Sequence, residues 1–193
     1  MLELTPESVL LAYSQGIFPM ADPDTGQVQW FRPDPRAIIP LDHYHASRSL
    51  RRFLRHSPFQ VAFNRDFLGV MRGCADRPDT WISDQFVEVY GRLHEQGWAH
   101  SVEAWEGEEL AGGVYGVAIG AAFMAESMFH RATNASKVAL HALVGRLRER
   151  QFELLDVQYM TEHLETLGAV EVPSREYISR LRAAILKPRA FRP

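Results

Sequence analysis

HSVEAWEGEELAGGVYGVAIGAAFMAESMF, residues 100–129, decides the fold. Residues 100–105 read as a strand, 106–108 as a turn and 110–119 as a second strand. Gly120 marks another turn, and 121–125 a third strand. Residues 110–125 carry no charge, yet Glu126 follows them at once. An unpaired carboxylate is costly to bury. Either the chain turns to solvent at Glu126 or a cation comes to meet it.

Downstream, Asn134 or Ser136 caps a long helix whose apolar positions Leu140, Leu143, Val144 and Leu147 keep i, i+3, i+4, i+7 spacing. Residues 152–158 read as a strand. Thr161 opens a short helix closed by Gly168, and Ser174 a final helix carrying Tyr177, Ile178, Leu181 and Ile185. The order is an antiparallel meander feeding a crossover helix, hence a mixed sheet with helices on it. Upstream, Thr5-Pro6-Glu7 starts a helix that Gly16 ends. Residues 28–31 and 37–39 are short strands around Pro33, Asp34 and Pro35, a turn-rich joint. Helices follow over 46–56, from Asn64 to Gly73, and from Ser83 to Gly97. The expected fold class is therefore α+β. The element order resembles the acyl-CoA N-acyltransferase-like (GNAT-like) fold, a mixed sheet with flanking helices over 36–193, preceded by a small N-terminal α/β segment over 1–35.

The 193 residues suit one domain with a small appendage, and the 46% apolar and 23% charged content is that of a globular protein. A net charge of −3 does not advertise nucleic-acid binding, so any such surface must be local. Cys74 is the single cysteine, which excludes an intrachain disulfide. The start of the chain has no basic, cleavable leader, and no uncharged run reaches the ~20 residues of a membrane span. A cytoplasmic protein is expected.

Four features carry candidate chemistry. Glu126 either pairs with a substrate ammonium beside Phe123, Met128 and Phe129 or ends a strand. Asp156 and Gln158, two apart in LLDVQ, face one side of their strand and could meet Glu126 at a sheet end. A carboxylate there suits general-base work if it reaches the proton directly or through a neighbour; otherwise Asp156 caps a turn. In SRSLRRFLRH, Arg48, Arg52 and Arg55 fall on one helix face with no acid among them. Like charges so stacked disfavour an isolated helix but suit phosphates; the bland alternative is a solvated face. Gly112, Gly113, Gly116 and Gly120 match neither a P-loop nor a dinucleotide loop, and mark bulges or close backbone approach instead. HRATNASKV at the crossover-helix start lacks the glycine turn that would hold a coenzyme A pyrophosphate, so no CoA is expected. His43 and His45 have no third ligand in view and no HExxH or CxxC spacing exists, so no metal is expected. Ser127 lies outside any G-x-S-x-G elbow. Trp81 either packs in the core or stacks on a base.

YSQGIFPM at 13–20, PDPRA at 33–37, TWIS at 80–83, GGVYGVAIGAAFMAESMF at 112–129, NASKVAL at 134–140 and LLDVQ with HLETLGA through 169 together resemble the leucyl/phenylalanyl-tRNA–protein transferases. The resemblance runs from about residue 5 to about residue 180. It implies transfer of leucine or phenylalanine from aminoacyl-tRNA to the α-amino group of proteins beginning with arginine or lysine, in the N-end rule pathway, without cofactor or metal. It further implies that Glu126 meets the aminoacyl ammonium and that Val114, Phe123, Met128, Leu143 and Leu155 line the side-chain pocket. Asp156 and Gln158 would activate the incoming amine, Asp156 polarising Gln158. Trp81 and Tyr90 would lie near the terminal adenosine, and Arg48, Arg52 and Arg55 against the acceptor stem. Met20 stands where many members have the tryptophan that stacks on the adenosine, Thr161 where some have asparagine, and a further N-terminal strand-and-turn segment of many members is not seen. The competing expectations are a CoA-dependent N-acyltransferase on the same fold and a catalytically idle tRNA-binding module.

Overall fold

A computed structural model describes residues 3–78 and 80–192. In chain order the elements are α1 (Pro6–Ser14), β1 (Phe18–Ala21), β2 (Val28–Phe31), β3 (Arg36–Ile38), α2 (Arg48–Leu54), β4 (Gln60–Phe63), α3 (Phe67–Ala75) and α4 (Asp84–Glu95). They continue with β5 (Ala99–Glu106), β6 (Glu109–Ile119), β7 (Ala122–His130), α5 (Ala135–Glu149), β8 (Leu154–Gln158), α6 (Glu162–Glu165), β9 (Val170–Val172) and α7 (Ser174–Ile185).

β1 and β2 form a two-stranded sheet, and the other strands a seven-stranded one in the order β4-β5-β6-β7-β8-β3-β9. Only β7–β8 is parallel, joined by α5 as the crossover. The fold is thus α+β with a mixed sheet and helices on it, and the meander, crossover and final helix occupy the order read from the sequence. β1, β4 and β9, of three or four residues each, were not expected. β3 is wedged antiparallel between β8 and β9.

One sheet face packs against α1, α3, α4 and α7, with Tyr13, Phe86, Tyr90, Tyr115 and Tyr177 wholly or almost wholly buried. The other is covered by α5, whose Leu140, Leu143, Val144 and Leu147 are buried as their spacing requires. Burial of such side chains contributes about 1.5–3 kcal/mol each. The strand glycines permit close packing. A Cβ on Gly113 would lie 2.9 Å from Val70 Cγ2, and one on Gly116 2.3 Å from the Met124 carbonyl oxygen.

The caps follow local chemistry. Thr5 and Ser8 form a capping box at α1, and Thr161 caps α6. Asp66, not Asn64, caps α3 by accepting from Gly69 N–H. Asn64 instead takes a left-handed turn and accepts from Ser101 N–H. Ser83 and Asn134 hold the expected N-cap places without side-chain bonds to the helix.

Candidate active site

The strand that holds Glu126 does not end there. β7 continues to His130, and Glu126 is an extra residue within it: Tyr115 pairs Ser127 and Gly116 pairs Ala125, which leaves Glu126 without a partner. Such a bulge bends a strand and re-aims a side chain. A second irregularity lies in β8, where Ala37 pairs Gln158 and Ile38 pairs Asp156, skipping Val157. The parallel β7–β8 ladder stops at Met124 and Asp156, so Glu126 and Gln158 lie just past the last pair. Gln158 has φ of 60°, a left-handed conformation that turns the end of β8.

These distortions bring two side chains together. Gln158 Nε2 donates to Glu126 Oε1 at 2.9 Å. The Tyr90 hydroxyl lies 3.5 Å from Glu126 Oε2 and 2.8 Å from the Tyr13 hydroxyl. Burial raises both phenols well above their ordinary range, so they remain neutral donors. Burial likewise pushes the Glu126 carboxyl up to about 8; hydrogen bonding from Tyr13 opposes the rise, Asp156 adds to it, and Arg36 and Gln158 oppose it. A partly buried acid so poised gains most from a cation at its side.

Beside Glu126 and Gln158 is a cavity of about 100 Å³, walled by Val114, Ala125, Met128, Leu140, Val157 and Leu164, with Ser127 at its edge. It is well below the ~300–1,000 Å³ of a small-molecule pocket and suits a single apolar side chain. Of the five positions expected to line it, Val114 and Met128 do. Phe123, Leu143 and Leu155 are at most 1% exposed and pack behind the wall. They shape the cavity without lining it: Phe123 and Leu155 share the strand faces of Ala125 and Val157, two residues earlier in each strand, and Leu143 follows Leu140 by about one turn of α5, so all three continue the same apolar layer beyond the cavity. Ala125, Leu140, Val157 and Leu164 were missed, although the Leu140 spacing already marked the correct helix face.

Asp156 is wholly buried, and its acceptor positions are filled. Arg36 Nε donates to Oδ1 at 2.8 Å and Arg36 Nη2 to Oδ2 at 2.6 Å. The Tyr177 hydroxyl adds a bond to Oδ2 at 2.7 Å, and Gln158 N–H one to Oδ1 at 2.9 Å. A carboxylate has about four lone-pair sites, so none is left over. Asp156 therefore meets Gln158 through the main chain, and the Gln158 side chain alone reaches Glu126. Arg36 is 1% exposed and sits over the Phe18 and Tyr177 rings. Burial works against its charge, but Asp156 outweighs this and raises its pKa. Its signal in the sequence was a lone arginine between the turn at Pro33–Pro35 and an apolar run.

Tyr90 is completely buried, stacked on Phe86 and edge-on to Tyr115, and stands behind Glu126 with its hydroxyl toward the carboxylate. Trp81 is partly exposed and edge-on to Phe86, and Met20 is partly exposed on β1. Arg48 and Arg52 lie on α2 and Arg55 is its C-cap. With Ser49 and Arg51 they line an open concavity of about 740 Å³. All four arginines are exposed, and none makes an ion pair among the described residues. His43 lies beside Asp42, and no group of three metal-binding side chains occurs among the described residues.

Residues 38–182 match the family described as leucyl/phenylalanyl-tRNA protein transferase, and residues 3–34 its N-terminal domain. The leucyl/phenylalanyl-tRNA–protein transferase of Roseobacter denitrificans is 50% identical across 98% of this chain and 91% of its own. That of Akkermansia muciniphila is 53% identical across 94% and 96%, and that of Gloeobacter violaceus 48% identical across the full length of both. Among solved structures, L-PGS from Bacillus licheniformis matches at a TM-score of 0.41 and 14% identity, over 83% of this chain and 55% of that one.

Proposed function

This chain belongs to the leucyl/phenylalanyl-tRNA protein transferase family, and from that premise we propose that the Glu126 cavity holds the aminoacyl group while it is transferred. The chain is a tRNA-dependent aminoacyltransferase, moving an amino acid from aminoacyl-tRNA to the N-terminus of a protein. Its activity belongs to the N-end rule route to protein degradation. No helix among the described residues is long and apolar enough to cross a membrane, and a cytoplasmic location fits a tRNA donor.

The observation that carries the proposal is a carboxylate in the wall of a small, mostly apolar cavity. Glu126 receives the free ammonium of the aminoacyl ester, and the cavity receives its leucine or phenylalanine side chain. Shape and desolvation exclude charged side chains, while the gain per methylene is only about 1–3 kcal/mol. The α-amine of the acceptor then attacks the ester carbonyl. A C–N bond forms, the ester C–O bond breaks, and the departing 3′-oxygen of the terminal adenosine takes the proton that the amine gives up. The activated ester supplies the driving force, so the protein mainly positions the amine. Gln158 donates to Glu126 through Nε2, and its carbonyl oxygen is the group suited to accept from the incoming amine. Acceptors begin with arginine or lysine. Arg48, Arg52 and Arg55 hold acceptor-stem phosphates, and Trp81 and Met20 flank the terminal adenosine.

Incubation with labelled Leu-tRNA and a peptide beginning with arginine is expected to label the peptide, and Phe-tRNA with a lysine peptide to do the same. Peptides blank in every pairing would overturn the donor and acceptor assignment. Replacement of Arg48, Arg52 and Arg55 by alanine is expected to weaken tRNA binding and flatten its salt dependence. The log–log slope should fall by about 0.7–0.9 for each phosphate deprived of its arginine. Filter binding between low and moderate salt reads this, and an unchanged slope would remove the helix from the interface.

A further inference from the structure

The Asp156 carboxylate is held by two residues that the transfer chemistry does not itself require. Arg36 binds it through two nitrogens, and Tyr177 through its hydroxyl. Both are almost completely buried, and they come from distant parts of the chain: Arg36 opens β3 and Tyr177 lies in α7. The one donor to Asp156 from the site itself is the Gln158 main-chain N–H. Gln158 adopts the left-handed conformation that non-glycine residues disfavour. In regular extended backbone, side chains at 156 and 158 would share a face, on the α7 side of the sheet where Asp156 meets Tyr177. The left-handed turn sends the Gln158 amide to Glu126 and the cavity instead.

We propose that Arg36 and Tyr177 are positioning residues for the transfer: they orient Asp156 so that it anchors the Gln158 N–H and holds the turn that aims the Gln158 amide at the aminoacyl group. This rests on the reading of the Glu126 cavity as the aminoacyl site. Asp156 is the hub, since its two oxygens accept from Arg36, Tyr177 and Gln158 together. Arg36 also donates to the Gly16 carbonyl, at the exit of α1. The helix that brings Tyr13 to Glu126 and the strand that brings Gln158 are therefore referenced to one guanidinium. Lysine cannot reproduce a planar two-nitrogen grip.

The test is a double-mutant cycle on the full-length enzyme, with kcat and the KM for aminoacyl-tRNA measured for Arg36→Lys, Tyr177→Phe, Gln158→Ala and the pairs with Gln158→Ala. A misaimed group can lower the rate on the order of 100-fold. Arg36→Lys is expected to approach that loss in kcat, and Tyr177→Phe to show a smaller one, with KM for aminoacyl-tRNA little changed. In the Gln158→Ala background, both losses should vanish while the fall in melting temperature persists. Equal losses in both backgrounds would make Arg36 and Tyr177 structural only and overturn the proposal. Tyr177→Phe keeps the test available if Arg36→Lys does not fold. If Gln158→Ala and Glu126→Gln both transfer at the wild-type rate, the aminoacyl-site reading fails instead.

Discussion

Glu126→Gln is expected to lower kcat/KM for aminoacyl-tRNA roughly 100-fold while the protein becomes more stable at alkaline pH. The kinetic loss follows from removal of a partly buried ion pair with the substrate ammonium. Loss of one partner of such a pair costs about 2–5 kcal/mol, and 1.4 kcal/mol is a factor of ten. Glutamine keeps the shape and can still pair with Gln158, so the lower half of that range applies. The stability gain has the opposite sign because burial raises the Glu126 carboxyl from 4.5 to about 8. Below pH 4.5 the group is protonated whether the chain is folded or not, and its contribution is fully present. Between 4.5 and 8 the unfolded chain releases a proton that the folded one keeps, so stability falls as pH rises through that window. The variant has no such proton. Its melting temperature should exceed that of the wild type by a margin that grows between pH 5 and pH 9. An unchanged kcat/KM would remove the ammonium contact, and parallel melting curves across pH would remove the buried acid.

The sequence exposed the sheet's centre and hid its edges, for reasons of range. The run at 100–129 announces a meander because its strands are joined by short turns with glycine at Gly107 and Gly120. β3 has no such neighbour. It reads as a strand, but its partners β8 and β9 lie more than a hundred residues away and could not be read; the edge strands β4 and β9, of four and three residues, carry no periodicity long enough to read at all. The site was legible in its residue types and misread in its geometry. Alternation predicted that Asp156 and Gln158 act on one side of a strand, but φ of 60° at Gln158 separates them. The apolar run reads as a strand that stops before Glu126, whereas β7 continues and absorbs Glu126 as a bulge opposite Gly116. A bulge is a property of two strands in register, and one strand's sequence does not contain it. Tyr177 reads at an apolar helix position and is buried there, and Tyr13 is buried too; their hydroxyls became polar partners of the site only when α1 and α7 docked on the same sheet face.

Asp156→Ala is expected to be the most destabilising single change near the site. It should lower the melting temperature by roughly 10 °C as well as abolish most transfer. Arg36 is 1% exposed, and Asp156 is its ion-pair partner. Removing the acid leaves a buried guanidinium with the Gly16 carbonyl as its remaining hydrogen-bond partner among the described residues. Breaking a buried pair in this way costs about 3–5 kcal/mol, and a protein of this size loses roughly 2–4 °C per kcal/mol. The Gln158 N–H and the Tyr177 hydroxyl lose their acceptor in the same substitution. Asp156→Asn separates the contributions. It keeps the volume and one acceptor oxygen but removes the charge that holds Arg36, so its melting temperature should lie between wild type and alanine. Removing both ions together, as Arg36→Met with Asp156→Leu, should recover much of the stability, because apolar side chains of similar volume often replace a buried ion pair without loss. That double variant should remain inactive, since nothing then anchors the left-handed turn at Gln158. Thermal melts with transfer assays on the four proteins read both effects. Recovered activity in the double variant would mean that Gln158 holds its turn unaided, and that the carboxylate beneath it serves the fold alone.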